Sequence, residues 1–581
     1  MQVIQTPAIG HGGDGGTFPD VGKVENVYSF QPRPGRCDNG AGSVKTPARA
    51  RSQVIADDVR DLERLGYAQQ LFREMGGFSN FAISFSIISV LTGAVLLFGY
   101  GLKLAGPVIN SIGWPVVSLF TLCVAASMAE LASAYPTAGG LYFWAFRLGG
   151  RTWAWTTAWL NMVGQVTITA GINVAAATYL VGAVTRMAGA PPDVTIPVFG
   201  SATNWSFQLA VMVAIMIPQV LINVFGIRLT ARLNDFSVWW HVAGVAVIVA
   251  LLAFLGSHHN SLEFLLSRVT TVTPIEAASA DLGGRTVPAL VIADARLPSP
   301  LFALVPGLAG LYAAAPFLLV FVLGLLQAQW TYTGYDASAH VAEETVMARM
   351  NSAWGVFLSV AVSAVVGYVL LLVLTWTIPR GDVAAAANDP YPVLHITYGN
   401  LSRGLGHVVA VIIGGAMWLC GLASITSMAR MWYAFARDDG MPGARLLKRV
   451  HPRLRTPVWA IGITSALAVA ITVYAAAYTV VTSISTVTLY LAYVIPIYLN
   501  GRNRRRGRGE YATRATAPWS LGGVGPVVNV IAILWVVVIT VVFVLPPNEP
   551  VLWMLLLLAL ALAAYWRLSA RHHFIGPAPS R

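Results

Sequence analysis

The sequence contains few charged residues and few cysteines. Asp, Glu, Lys and Arg make up 11% of its 581 residues, against about 25% in a typical soluble domain, so a soluble globular fold is excluded. The three cysteines, Cys37, Cys123 and Cys420, lie far apart and are odd in number, which predicts neither a disulfide framework nor a zinc cluster. The apolar segments also lack the period-two alternation that a membrane β-barrel requires.

Long apolar runs are abundant instead. Hydrophobic residues make up 56% of the chain, and the mean hydropathy is +0.66. A bilayer core of about 30 Å needs roughly 20 apolar residues in a helix, and charge-free stretches of that length recur along the chain. They predict an all-α polytopic protein with twelve transmembrane helices in a lipid bilayer. The stretch from Arg455 to Arg502 is too long for one helix, so we expect it to fold back near residues 474–478.

Positive charge is distributed unevenly between the two sides of this predicted topology. Thirty of the 37 Lys and Arg residues fall on the side that also holds both termini. Short cytoplasmic loops carry such an excess, so we expect a plasma membrane protein with both termini in the cytoplasm. The net charge of +12 is then explained by topology and by contact with anionic lipid. Nucleic acid is not an expected partner, and its binding by the basic segment 503–508 is the alternative.

The composition divides the chain into five parts. The first 70 residues are rich in Gly, Pro and charge, which predicts a disordered cytoplasmic tail. Ten core helices follow, then a basic cytoplasmic loop, helices eleven and twelve, and a cytoplasmic C-terminal tail. The expected boundaries are 1–70, 71–500, 501–522, 523–567 and 568–581.

Two of the predicted helices contain a Thr-Gly pair in the middle of apolar sequence. The first has Thr92-Gly93, and the sixth has Thr333-Gly334 within QWTYTGYDA. Unwound backbone is tolerated in a membrane only where it faces a cavity, a ligand or protein. The amide groups that start a half-helix attract an anion such as a carboxylate. The pairs therefore predict two interrupted helices around a binding site, and the alternative is that the glycines only allow close helix packing.

Several motifs occur in a fixed order along the chain. They are FSIISVLTGA (85–94), AELASAYPTAGGLYFWA (129–145), WLNMVGQVTITAGI (159–172), TGYDASAHVAEE (333–344), ARDDGMP (436–442) and RVHPRLRTPVWA (449–460). With these motifs, residues 65–500 resemble the amino acid–polyamine–organocation superfamily of transporters, and most closely its amino acid/choline permease branch. The first helix departs from many members, because Thr92-Gly93-Ala94 supplies one glycine where they have more.

The resemblance implies a five-plus-five inverted repeat with broken helices 1 and 6, plus two additional helices. It implies secondary active transport, by alternating access, of an amino acid, 4-aminobutyrate or a related small amine, with a coupled proton or by exchange. The alternatives are a choline/quaternary amine or polyamine transporter, and a non-transporting substrate sensor of the same fold. The sequence offers no nucleophile–base pair and no metal cluster within the helices, so we expect no enzymatic activity and no cofactor.

The candidate substrate-binding residues surround the two interruptions. Gln165 joins them because Asn161, Gln165, Thr169 and Asn173 recur every four residues along one face of helix three; the alternative is that these residues only hold helices together. Aromatic rings beside the second interruption suit an ammonium group. The candidates are Ser89, Thr92, Gly93, Ala94, Gln165, Trp330, Tyr332, Thr333, Gly334, Tyr335 and Asp336.

Several ionisable residues have two interpretations each. The resemblance places His241 where other members have a basic residue near the first interruption, and histidine titrates near neutral pH, so His241 is expected to take the coupling proton. The alternative is an interfacial histidine in an aromatic belt. Asp336 either binds substrate or a proton, or caps the short helix that follows it. We expect Glu343 and Glu344 in ion pairs near the cytoplasmic surface, and His340 on a helix surface.

Overall fold

The structure is a computed structural model, and only part of the chain is described. The described residues are 51–189, 204–268, 279–282, 285–292, 295–305, 307–308, 311–312, 316–474, 478–507 and 517–577. The first 50 residues of the expected tail, and residues 475–477 of the expected turn between helices nine and ten, lie outside them.

Helices account for the membrane-spanning part. Within the described ranges, ten helices are long and apolar enough to cross a bilayer, and shorter apolar helices lie at Phe317–Thr331 and Val458–Thr472. These twelve segments confirm the predicted all-α polytopic fold.

The helices of the first half bring the chain through five membrane crossings. They are α1 (Arg51–Arg64), α2 (Gly77–Ile88), α3 (Gly93–Leu96), α4 (Phe98–Ala105), α5 (Trp114–Ala134, preceded by a π-helical turn at Ile109–Gly113), α6 (Leu141–Gly149), α7 (Arg151–Ala188), α8 (Asn204–Phe225) and α9 (Ile227–Leu255).

The helices that follow repeat this arrangement and add two crossings. They are α10 (Pro300–Leu304), α11 (Pro316–Gly324), α12 (Leu326–Thr331), α13 (Ala337–His340), α14 (Ala348–Trp376), α15 (Val383–Asn388), α16 (Pro392–Asn400), α17 (Arg403–Arg437), α18 (Ala444–Leu447), α19 (Val458–Tyr474), α20 (Tyr478–Arg505), α21 (Gly525–Val542), α22 (Glu549–Tyr565) and α23 (Arg571–His573). Short 3₁₀ helices lie at Glu263–Leu266, Ala342–Glu344, Pro379–Gly381 and Gly522–Val524, and a π-helical turn at Trp566–Ala570.

Small residues let the membrane helices approach one another closely. A Cβ atom at Gly367 on α14 would lie 2.3 Å from the ring of Trp114 at the start of α5, a distance that only glycine permits. The ring nitrogen of Trp114 donates to the carbonyl of Ala364 one turn earlier on α14. In lipid, where apolar surface alone gives no reason to associate, such close packing and hydrogen bonding hold helices together.

The predicted interruptions of the first and sixth helices are present. Helix α2 ends at Ile88, Ser89 adopts a positive φ of 28°, and the chain resumes as α3 at Gly93. In the second half, α12 ends at Thr331, and α13 begins only at Ala337. Gly334 between them has a φ of 85°, a conformation that residues with a Cβ rarely adopt.

The expected disordered tail does not extend to residue 70, because residues 51–64 form helix α1. Its Asp58 carboxylate accepts hydrogen bonds from the backbone amides of Met347 (2.7 Å) and Ala348 (3.2 Å) at the start of α14. Leu62 is buried. The prediction was wrong here because composition taken over 70 residues averages the Gly- and Pro-rich start with a short amphipathic helix. The residues that Asp58 of this helix contacts lie more than 280 positions later in the chain, so no local pattern indicates them.

A small antiparallel sheet lies in the long segment after α9, and the sequence analysis did not anticipate it. Its strands are β1 (Ser279–Leu282), β2 (Arg285–Ile292) and β3 (Ala295–Pro298), paired in the order β1-β2-β3. The register places Ala280 opposite Val287 and Leu290 opposite Leu297. Strands this short and close in sequence give almost no periodic signal, so an apolar loop is all that the pattern indicates.

Candidate functional site

The two interrupted helices meet in the interior of the protein. A Cβ atom at Gly93 would lie 2.5 Å from the hydroxyl oxygen of Thr331, and one at Gly334 would lie 2.3 Å from a methyl carbon of Ile87. Each glycine therefore lies against the interruption in the other half. The packing alternative for these glycines is correct in part, because the close approach of each to the other half brings the two interruptions together around a shared cavity, which Gly93 itself lines.

This cavity contains about 180 Å³ of empty space, most of it too narrow for a water molecule. Residues of α2, α3, α7 and the sixth helix line it: Ile87, Ile88, Thr92, Gly93, Ile168, Ile172, Trp330, Thr331 and Thr333. Four of the candidate residues are among them. The other seven do not line the cavity in the described part of the chain, and they are Ser89, Ala94, Gln165, Tyr332, Gly334, Tyr335 and Asp336.

The cavity residues that the sequence analysis missed are mostly isoleucines. Ile168 and Ile172 lie four residues apart on α7, which places them on one face of that helix. That spacing was readable from the sequence, but the polar stripe on the same helix gave the stronger signal. An isoleucine in a membrane helix also has lipid as a possible neighbour, so only the structure shows that these two face the cavity.

Hydroxyl groups at the first interruption form a chain that ends on His241. The Ser89 hydroxyl lies 2.6 Å from the Thr92 hydroxyl and 2.7 Å from Nε2 of His241. The other ring nitrogen, Nδ1, lies 2.7 Å from the carbonyl oxygen of Ser237. A neutral imidazole satisfies this arrangement, with Nδ1–H donating and Nε2 accepting. His241 is fully buried, whereas neighbouring Trp239 is 66% exposed, so the interfacial alternative for His241 is wrong.

The tyrosines of the sixth helix face α5 and α20. The Tyr332 hydroxyl lies 2.6 Å from that of Ser118 on α5, and Tyr490 on α20 donates to the Tyr332 carbonyl. The rings of Tyr335 and Tyr493 lie 5.0 Å apart. The two hydrogen bonds satisfy polar groups that would otherwise be unpaired within the membrane, and together with the ring contact they fix the backbone of the second interruption.

Asp336 is held by four side-chain donors and is fully buried. Its Oδ2 accepts from Asn161 (2.9 Å), Gln165 (3.1 Å) and His340 (3.0 Å), and its Oδ1 accepts from the hydroxyl of Tyr493 (2.9 Å). Its side chain accepts no amide of α13, so the expected capping role is wrong. The reason is geometric, since Asp336 itself has helical dihedrals and its carboxylate is directed towards α7 and α20.

His340 occupies the interior, and its predicted place on a helix surface is wrong. It is fully buried, and its Nδ1 lies 3.1 Å from the carbonyl oxygen of Ala138 in the segment after α5. The spacing of four residues between Asp336 and His340 is the one sequence signal that indicated their contact. Ala138 lies 202 residues earlier in the chain, so no local pattern indicated that it covers the ring.

Ion pairs close one side of the protein below the cavity. We call this side the basic face; it carries the ends of α5, α17 and α20 together with α1. Arg430 and Arg437 pair with Glu344 and Glu343 at 3.0 Å and 2.9 Å, and both carboxylates are fully buried. The expected ion pairs of the two glutamates are therefore confirmed. Oε1 of Glu343 also accepts the backbone amide of Ala138.

A second set of contacts lies at the opposite face. One guanidinium nitrogen of Arg186, near the end of α7, lies 2.9 Å from both carboxylate oxygens of Asp389. His395 on α16 lies 3.2 Å from the same carboxylate. The cavity between the interruptions thus lies between two groups of ionic contacts, one at each face.

Comparisons with known proteins show the family of this chain. The family profile described as amino acid permease matches residues 75–566. The amino-acid permease BAT1 of Arabidopsis thaliana is 32% identical over 544 residues, which cover 89% of this chain and 95% of the relative. Its homolog in Oryza sativa subsp. japonica is 32% identical over 543 residues, covering 89% and 94%. Amino-acid permease 2 of Neurospora crassa is 24% identical over 566 residues, covering 94% and 93%. The chain therefore belongs to the amino acid permease family and is a multi-pass membrane transporter of amino acids, not an enzyme.

Proposed function

We propose that this permease binds an amino acid or related small amine between the two interruptions, where the narrow cavity widens to admit it, and moves it by alternating access. The observation that carries this proposal is that both interruptions lie against the same cavity, with Thr92 and Gly93 on one wall and Thr333 on the other. Half-helix amides at the first interruption suit the carboxylate of the substrate, and carbonyls that end the preceding half-helices suit its ammonium group.

The remaining candidate residues do not line the cavity but support the backbone segments that do. Ser89 and Ala94 shape the first interruption. Tyr332, Gly334 and Tyr335 set the backbone of the second, which Gln165 holds through Asp336.

A zwitterionic substrate fits the lining better than a cation does. The described residues that line the cavity are isoleucine, threonine, glycine and tryptophan. Among them there is no carboxylate that could neutralise the positive charge of a cationic substrate. An uncompensated charge within a membrane protein is costly, whereas a zwitterion brings its own counter-charge. This argument favours an amino acid over the choline and polyamine alternatives.

A ligand screen with one matched pair of variants tests the site. Thermal unfolding of the purified protein is followed with amino acids, 4-aminobutyrate, choline and polyamines, because a ligand stabilises the state that binds it. Thr333→Val removes a hydroxyl at the cavity and is expected to weaken both ligand stabilisation and uptake into vesicles. Thr464→Val removes a hydroxyl that donates to the carbonyls of Ala460 and Ile461 on its own helix and is expected to change neither. Equal effects of the two variants would contradict the proposed site.

We further propose that a proton couples to transport through His241. The support is the bond between His241 and Ser89, which leads directly to Thr92 at the cavity. If a substrate carboxylate accepts from the Thr92 hydroxyl, the Ser89 hydroxyl can turn to donate to Thr92; Nε2 of His241 then loses its donor and can accept a proton instead. His241→Gln is therefore expected to abolish accumulation driven by a pH gradient while exchange at equal pH continues. Full gradient-driven accumulation in this variant would disprove the coupling role.

The orientation proposed from the charge distribution makes the basic face cytoplasmic, in the plasma membrane. In this arrangement residues 71–500 form the transport core, and 501–522 a cytoplasmic loop. Residues 523–567 add two helices, and 568–581 a cytoplasmic tail. A C-terminal epitope is then expected to resist protease in intact cells and to be cleaved once the cells are permeabilised. Cleavage in intact cells would reverse the orientation.

A further inference from the structure

The Asp336–His340 pair links the sixth helix to the segment between α5 and α6. We call residues 135–140 the 135–140 loop. The imidazole of His340 lies between two oxygen atoms, Oδ2 of Asp336 at 3.0 Å and the carbonyl of Ala138 at 3.1 Å. Both side chains of the pair are fully buried, so bulk solvent does not reach either ring nitrogen.

Counting hydrogens shows that this geometry requires an extra proton. The carbonyl of Ala138 can only accept, so Nδ1 must carry a hydrogen. Oδ2 already accepts from two amides, those of Asn161 and Gln165, which favours an ionised carboxylate and places the hydrogen of the third contact on Nε2. A histidine with both nitrogens protonated is an imidazolium, and here it faces a carboxylate.

Removal of that proton breaks one of the two contacts. A neutral ring that keeps its hydrogen on Nδ1 presents a lone pair to the Asp336 carboxylate. The other tautomer presents a lone pair to the Ala138 carbonyl. A buried acceptor that faces another acceptor is unfavourable, so the deprotonated pair no longer holds α13 and the 135–140 loop together as strongly.

The neighbouring ionisable groups have partners of their own, so the proton stays on the Asp336–His340 pair. Tyr493 on α20 donates to Asp336 and itself accepts from the amide of Gly334. The rings of Tyr335 and Tyr490 lie against Tyr493. On the loop side, the carboxylate of Glu343 binds the Ala138 amide and is neutralised by Arg437. Within the described residues, His340 is the only basic side chain bonded to Asp336.

We propose that the Asp336–His340 pair is a proton-binding site whose occupation keeps the 135–140 loop against α13, and whose release loosens this contact when the basic face opens. The proton moves from the imidazolium to solvent on that face, and a neutral imidazole remains beside the ionised carboxylate. The site is distinct from His241, whose contacts are satisfied without an added proton. The proposal rests on the alternating access proposed above, but its test needs no substrate.

Labelling of a buried cysteine in the loop measures this contact. In a background with Cys37, Cys123 and Cys420 changed to Ser, Thr137→Cys places one thiol in the loop, where Thr137 is fully buried. Maleimide labelling rates are measured in lipid nanodiscs between about pH 5.5 and 8.5. Thiol ionisation also changes with pH, so each rate is divided by that of the same protein carrying His340→Gln, which keeps an amide donor but cannot titrate.

The expected ratio rises about tenfold over this range, the order of a lost hydrogen bond to a charged group. His241→Gln in the same background is expected to retain the rise. A constant ratio would overturn the proposal, as would a rise that His241→Gln abolishes. If the ratio rises but no amino acid is taken up, the transport function fails and the proton site stands.

A spectroscopic measurement on the otherwise unmodified chain covers the case in which a variant labels poorly. Histidine nitrogen-15 spectra are recorded at low pH within the same range, and the signal of His340 is the one missing from His340→Gln. Hydrogens on both ring nitrogens are expected. A single N–H at a pH where the loop is protected from labelling would overturn the proposal.

Discussion

The guanidinium of Arg430 on α17 lies 3.0 Å from the carboxylate of Glu344, and neither side chain is exposed. The pair joins the long eighth membrane helix to the end of the sixth. The backbone carbonyl of Glu344 also accepts from the amides of Glu74 and Met75, so the segment before α2 depends on the same residue. Contacts that close the basic face thus converge on a single short turn.

Glu344→Gln is expected to destabilise the protein strongly. It leaves the charge of Arg430 buried without a partner, and breaking a buried ion pair in this way costs about 3–5 kcal/mol. Thermal unfolding in detergent measures the loss. The double variant with Arg430→Met is expected to recover most of it, because both charges are then removed. A double variant no more stable than Glu344→Gln would show that the pair acts through something other than charge compensation.

The close approach of Gly93 to Thr331 predicts that Gly93→Ala impairs the protein. The added methyl would lie 2.5 Å from the Thr331 hydroxyl and 2.9 Å from its Cα, and overpacking of this kind costs about 1–3 kcal/mol. Uptake and thermal stability are both expected to fall. Gly462→Ala on α19, where a Cβ meets open space, is the matched control and is expected to be neutral or stabilising. An active, stable Gly93→Ala variant would show that the site does not require the close approach of Gly93 to Thr331.

Sequence reasoning identified the interruptions because their signal is local. A Thr-Gly pair within an apolar run conflicts with a continuous membrane helix, and the conflict is visible in a few letters. Apart from the i,i+4 spacing to His340, the contacts of Asp336 were not visible, because the other partners come from α7 and α20. The same holds for His340. The sequence indicates a polar residue on a helix surface, and only the structure shows that the backbone of Ala138 contacts its ring.

The apolar residues that line the cavity were likewise not predictable from the sequence. Every membrane helix offers isoleucines, and sequence alone does not separate a residue that faces lipid from one that faces a cavity. Ile168 and Ile172 became cavity residues only through the packing of α7 against both interrupted helices. Hydrophobicity therefore predicted the membrane fold but not the binding surface.

Asp58 is expected to anchor α1 to the basic face. Its carboxylate accepts the two amides that start α14, and loss of such a cap costs about 0.5–2 kcal/mol. Asp58→Ala should therefore speed cleavage within residues 51–76 by a protease at low concentration. Asp57→Ala is the control, since Asp57 pairs with Arg60 on the exposed side of the same helix, where ion pairs contribute little. Equal cleavage rates for the two variants would contradict the anchoring role.

Asp438, which follows α17 at the basic face, predicts a dependence of stability on pH. Burial raises the pKa of its carboxyl to about 7, although the Tyr67 hydroxyl bonded to it at 2.7 Å acts in the opposite direction. The folded protein therefore holds this proton more tightly than the unfolded chain does. The stability contribution is fully present below the ordinary pKa of 3.8 and is lost as pH rises towards 7.

Asp438→Asn removes this titration while it keeps the shape of the side chain. Between about pH 5 and pH 8, the melting temperature of the unmodified protein should fall relative to that of the variant, because only the former must ionise a buried acid. Other acidic groups titrate in both proteins, so the difference between the two curves isolates Asp438. A difference that stays constant with pH, or that grows in favour of the unmodified protein as pH rises, would contradict the prediction.

The Tyr67 hydroxyl is the second test of the same carboxyl group. Since the Tyr67 ring also stacks on Arg437 with 3.8 Å between ring centroid and guanidinium carbon, Tyr67→Phe keeps the stacking and loses only the hydroxyl. The melting temperature of Tyr67→Phe should therefore fall more steeply with pH than that of the unmodified protein, because the ionised carboxylate then loses one of its two tyrosine donors and keeps only Tyr142.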